Sequence, residues 1–64
     1  MIKVFYQVVD AKYREIIHVS AVPRINDTIV IDDELYVVMG VIWEAGVRGI
    51  YEPIIGLDFF STEK

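Results

Sequence analysis

Sixty-four residues, 55% of them apolar before glycine is counted, with no cysteine and a formal charge of −4, describe one small acidic domain. A chain of this size buries only about 60% of the surface its unfolded form exposes, so an apolar excess over the usual ~45–50% has little interior to hide in and points to a subunit or partner interface. The missing cysteine excludes disulfides, thiolate metal sites and thiol nucleophiles, and the basic residues Lys3, Lys12, Arg14, Arg24, Arg48 and Lys64 are scattered singly rather than gathered into the stripe that direct nucleic-acid binding needs.

The chain opens on MIKVFYQVVD, where Gln7 and Asp10 interrupt any leader-like apolar core. The longest apolar run, Leu35 to Trp43, falls far short of the roughly 20 residues of a spanning helix. The expectation is a single cytoplasmic domain over 1–64 with no membrane association. Ten Val, ten Ile and two Thr make about a third of the residues β-branched, against two Leu and three Ala, and no window carries a helical stripe. The chain therefore reads as all-β.

The first strand is expected over Ile2–Val9, with Ile2, Val4, Tyr6 and Val8 on one face. A polar turn, Asp10 to Tyr13, leads to a second strand over about Arg14–Ser20, with Ile17 and Val19 sharing a face with Glu15. The corner VPRIND (Val22–Asp27) then breaks the apolar pattern. A third strand, Thr28–Ile31, and a hairpin turn at Asp32–Glu34 follow. The fourth strand, Leu35–Trp43, is apolar on both faces, with Leu35, Val37, Met39, Val41 and Trp43 on one and Tyr36, Val38, Gly40 and Ile42 on the other, as expected of a strand buried on two sides or bent through a barrel. Gly40 inside it signals a bulge or bend. The glycine-rich EAGVRG loop (Glu44–Gly49) precedes a last strand, Ile50–Leu57, in which Pro53 demands an edge, a bulge or a barrel seam. Five short strands with tight turns and one glycine-kinked strand point to a small five-stranded SH3-like half-open barrel. A five-stranded meander that closes only against another subunit is the alternative.

Pro23, Arg24, Asp27 and Ile29, followed by Tyr36, Val38, Val41 and Trp43, resemble a pattern in short bacterial and phage β-barrel proteins: a Pro-Arg-x-Gly-Asp-x-Val/Ile corner before a Tyr-x-Val-x-x-Val-x-Trp strand. The likeness covers Val22 to Trp43. Asn26 stands where that pattern has glycine, and asparagine best tolerates the positive φ such a corner requires. The resemblance implies the barrel fold, a phage or mobile-element origin and an accessory or inhibitory role. It carries no catalytic residue across.

Among chemistry-bearing residues, His18 has no second ligand at metal-binding spacing, and its offset of two from Ser20 does not make a triad. No enzymatic activity, cofactor or metal is expected. Asp27, Asp32, Asp33 and Glu34 form an acidic patch that is either solubilising charge or a mimic of phosphate spacing. Arg24 and Arg48 sit in turns, where a guanidinium can fork an anionic nucleotide-like ligand held between subunits. Trp43 reads first as core; exposed, it becomes a hot-spot candidate beside Tyr51, Phe59 and Phe60. Neighbouring Phe59 and Phe60 point opposite ways on an extended chain, so only one faces its own barrel. The leading expectation is a non-catalytic module that binds a host protein or itself through the EAGVRG loop, Tyr51 and the Phe59–Phe60 tail.

Overall fold

Alternating apolar residues with β-branched side chains build strands wherever turn residues allow them to pair. The computed structural model describes residues 1–46 and 48–61; within these all regular structure is strand: β1 (Ile2–Val8), β2 (Glu15–Val19), β3 (Thr28–Ile31), β4 (Glu34–Ala45) and β5 (Tyr51–Phe59). The strands form one sheet in the order β2-β1-β5-β4-β3. An N-terminal hairpin and a C-terminal three-stranded antiparallel unit are thus joined by a parallel pairing of β1 with β5, Phe5 opposite Ile54 through Val8 opposite Leu57. This order is not that of a meander, because segment 20–27 must carry the chain from one sheet edge to the other.

That crossing is possible because the sheet curls. Val4, Tyr6, Val38, Ile55 and Leu57 form the core cluster, and both edge strands pack against it, Ile17 and Val19 from β2 and Ile29 and Ile31 from β3. A flat five-stranded sheet would separate its edges by roughly 19 Å at about 4.8 Å per strand, far beyond contact with one central cluster. The result is a half-barrel, open between β2 and β3. Val22, on the crossing segment, packs on the same cluster.

The corner on this segment is held as its residue types demand. The Asp27 N–H donates to the Arg24 carbonyl (3.0 Å), the Asp27 carboxylate accepts the Arg24 N–H (2.9 Å), and Asn26 has φ +78°. Two further bonds fasten the corner to β4: Asn26 N–H to the Val38 carbonyl and Val38 N–H to the Asp27 carbonyl, each 2.8 Å. At the next hairpin Ile31 pairs with Glu34, so the turn is the two residues Asp32 (φ +52°) and Asp33 (φ +68°), and Glu34 belongs to β4 rather than to the turn. Positive φ at both central residues matches the type I′ geometry whose twist suits flanking strands.

β4 corrects the expectation of unbroken alternation. Its register against β5 slips between Val38 and Gly40, leaving Met39 as the extra residue of a bulge. Tyr36 and Val38 before it therefore share the inner face with Val41 and Trp43 beyond it. Gly40, Ile42 and Glu44 turn outward. Pro53 pairs with Trp43 one residue before the parallel ladder starts at Phe5–Ile54, so its missing N–H falls at the seam where β1 joins β5.

Candidate binding surface

β4 and β5 outrun their neighbours. β1 pairs with β5 only along Ile54–Leu57, and β3 pairs with β4 only along Glu34–Val37. Beyond these ladders the two long strands continue as an arm to Ala45 opposite Tyr51, closed at its tip by Gly46 N–H to the Ile50 carbonyl (2.8 Å) and Gly49 N–H to the Gly46 carbonyl (3.0 Å). Gly49, at φ +75°, supplies the left-handed residue this turn needs.

The arm explains Trp43. Its side chain is on the inner face, as a core residue's would be, yet it is 54% exposed, because no described strand extends far enough to cover it. The core reading of Trp43 is corrected accordingly. Tyr51 beside it is 64% exposed, and Ile50 and Ile42 are exposed as well. Arg48 stands exposed at the tip, where Gly46, Arg48, Ile50 and Glu52 line a shallow depression of about 250 Å³.

Phe59 and Phe60 lie at the far end of β5 from Tyr51, roughly 27 Å away at about 3.4 Å per residue. The loop, Tyr51 and the phenylalanines therefore do not make one working face. The Phe59 ring tilts against Tyr36 (centroids 5.6 Å apart), and the Phe60 N–H donates to the Leu35 carbonyl (3.1 Å). Both phenylalanines remain partly exposed.

The acidic patch also divides. Asp27 belongs to the corner and Asp32–Asp33 to the turn at the opposite end of β3, so one carboxylate is engaged with backbone while the others face solvent. Arg24 and Arg48 are separated along β4 as well: the corner is tied to Val38, and Arg48 follows the end of the strand. His18 is exposed on β2, opposite Lys3. Among the described residues no three His, Asp or Glu side chains gather where they could hold a metal ion, and no helix is long and apolar enough to cross a membrane.

A second surface is absent from the sequence reading. Ile54 is buried on the face opposite the core, where it and the outward residues Phe5 and Ile16 floor a cleft of about 420 Å³. An ion pair, Arg14 Nη1 to Glu44 Oε1 at 3.1 Å, joins residues from β2's approach and the end of β4 over this floor. Lys3 pairs with Glu52 at 3.3 Å, its ammonium 5.1 Å from the Phe5 ring centre. The cleft's rim is acidic, with Glu15, Glu44 and Glu52 against Arg14. The available signal was the outward trio Phe5, Ile16 and Ile54, legible only once β1–β5 pairing aligns them in one row.

Inside the half-barrel, Tyr6 has its phenol held above the usual tyrosine range, chiefly by burial and then by the negative charges of Glu15 and Asp32 and by Tyr36. Compared with protein-family models, curated proteins and solved structures, the chain has no significant match to any.

Proposed function

We propose that this protein is a non-catalytic, SH3-like binding module whose working surface is the β4–β5 arm, acting on a partner protein as a small accessory or inhibitory subunit. One observation carries the reading: the only tryptophan of the chain stands 54% exposed on a projecting arm, beside a tyrosine that is 64% exposed. Trp, Tyr and Arg dominate the energetics of interfaces, and Arg48 at the tip completes that trio. An apolar fraction beyond what a core of five residues absorbs supports the same reading. The resemblance of the Pro23–Asp27 corner to short phage β-barrel proteins is the ground for the accessory or inhibitory role and for a phage or mobile-element origin.

Affinity capture from lysate of the native host, comparing the wild type with the Trp43→Ala/Tyr51→Ala double variant, tests the proposal. A protein retained by the wild type and lost by the folded variant is the expected result. Equal retention moves the working surface elsewhere, the Phe5–Ile54 cleft first. The alternative class, an anionic nucleotide-like ligand gripped by Arg24 or Arg48 between subunits, predicts thermal stabilisation by such compounds that disappears in Arg24→Ala or Arg48→Ala.

A further inference from the structure

The outer face of the sheet is laid out in rows. Ile16, Phe5, Ile54 and Ile42, one from each of four strands, stand opposite one another in the ladders and form an apolar row across it. On one side of this row Glu52 lies directly opposite Glu44, a like-charge pair that weakens a sheet unless cations relieve it. Lys3 is ion-paired with Glu52, and Arg14 with Glu44. Glu15, at the β2 margin of the same cleft, has no ion pair and no side-chain hydrogen bond among the described residues. The cleft therefore carries one carboxylate more than the chain's own cations neutralise.

On the other side of the apolar row Gly56 lies between Gln7 and Gly40. Glycine weakens a strand, and inside one it marks a bulge, a bend or a place where something approaches the bare backbone. The bulge at Met39 accounts for Gly40, whereas Gly56 is on the regular strand opposite it. Neither glycine has positive φ, and a Cβ built on either meets nothing within 4 Å, so the fold itself does not require glycine at position 56. Gly56 instead lines a second depression of about 420 Å³, with Gln7 and the exposed Val9 and Met39 around it. The two depressions adjoin, because Phe5 and Gln7 on β1, and Ile54 and Gly56 on β5, are successive residues of one face.

We propose that this face is a binding site for a small monocationic amphiphile, an ammonium group carrying a hydrocarbon tail. Neither the carboxylates nor the glycine alone selects a ligand; a surplus carboxylate, an apolar row and bare backbone placed side by side do. The ammonium pairs with Glu15, and its single charge matches the single carboxylate left over. The Lys3 ammonium, 5.1 Å from the Phe5 ring centre, already shows a cation seated against this aromatic floor. The tail crosses the Phe5–Ile54 floor onto the backbone of Gly56. From Glu15 on β2 to Gly56 on β5 is two strand spacings, about 10 Å at ~4.8 Å each. An anionic head would meet the uncompensated carboxylate, and a cation without a tail would leave the apolar row uncovered. Trp43 and Tyr51 lie on the opposite face, so this site stands independently of the arm.

The test is a titration of the isotope-labelled full chain with n-alkylammonium ions from butyl to octyl, below their micelle concentrations, followed by amide chemical shifts. Affinity is expected to rise with tail length, by up to about fourfold per buried methylene, with shifts concentrated at Phe5, Glu15, Ile54 and Gly56. Octanoate is expected not to bind. Glu15→Gln is expected to weaken every member of the series by about fivefold, less so in high salt, and to leave the length dependence intact. Gly56→Val, whose Cβ meets nothing, is expected to keep the wild-type circular dichroism and to bind octylammonium no better than butylammonium. Trp43→Ala/Tyr51→Ala is expected to bind as the wild type does; loss of binding there would move the site to the arm and overturn the proposal. Affinity that stops rising at butylammonium, the length of a lysine stem, overturns the amphiphile in favour of a partner protein's side chain. No binding across the series, equal binding of octanoate, or an undiminished length dependence in Gly56→Val overturns the site.

Discussion

At the residue scale, three non-glycine positions among the described residues, Asn26, Asp32 and Asp33, hold positive φ, and each has a local cause. Asn26→Ala is expected to cost about 1 kcal/mol, a fall in Tm of roughly 4–8 °C, because a Cβ without a compensating polar group is strained in the left-handed region. Asn26→Gly is expected to match or exceed the wild type in the same thermal melt. Asp33→Gly, which supplies the residue a type I′ turn prefers at its second position, is expected to raise Tm. Tyr6 sets a pH limit. Its folded pKa is raised above the unfolded value near 10, so the folded state binds more protons in between, and its share of stability is complete below about pH 10 and lost as pH rises through the folded value. Urea midpoints measured from pH 8 to pH 11 should fall at the alkaline end, and the part due to this phenol should vanish in Tyr6→Phe.

At the element scale, β5 is the axis of the fold and the arm is its unsupported extension. Ile55, fully buried between β1 and β4, belongs to the cluster on which both edge strands pack. Ile55→Ala is expected to cost about 2–5 kcal/mol, enough to leave much of so small a domain unfolded at 25 °C. Trp43→Ala, a larger truncation, is expected to cost under about 1 kcal/mol in the same denaturant titration, because the indole is mostly in water. A large loss there would mean that the arm folds back on the core. The Arg14–Glu44 pair is about half exposed on both sides, so Glu44→Gln should change stability by less than about 1 kcal/mol and lose even that in high salt.

At the scale of the whole molecule, the first and last strands meet in parallel at the centre of the sheet, and the two edge strands are linked by a crossing segment. Nearly the entire chain must be in place before β1 can pair with β5. Contacts so distant in sequence make closure slow, and stopped-flow refolding is expected in the millisecond-to-second range rather than in microseconds. The same topology leaves an elongated body, 45 Å long against 25 and 20 Å across, with its apolar surplus spread over an arm and an outer cleft instead of a core.

Residue types alone determined much of this protein. β-branched composition made it all-β, Thr28–Ile31 was bounded by its turn residues, and Asn26 announced positive φ at a corner that the structure then shows. Simple alternation puts Val4, Tyr6 and Val8 on one face, and Gly40 marks the bulge to within a residue. What local pattern could not carry was the bulge's consequence: one extra residue, Met39, exchanges the faces of everything after it, so Val41 and Trp43 joined Tyr36 and Val38. Only the tertiary structure decided which residues are covered, because coverage depends on where neighbouring strands end. Trp43 carries a core residue's position and an interface residue's exposure for that reason, and Phe5, Ile16 and Ile54 become one floor only when β1 lies beside β5.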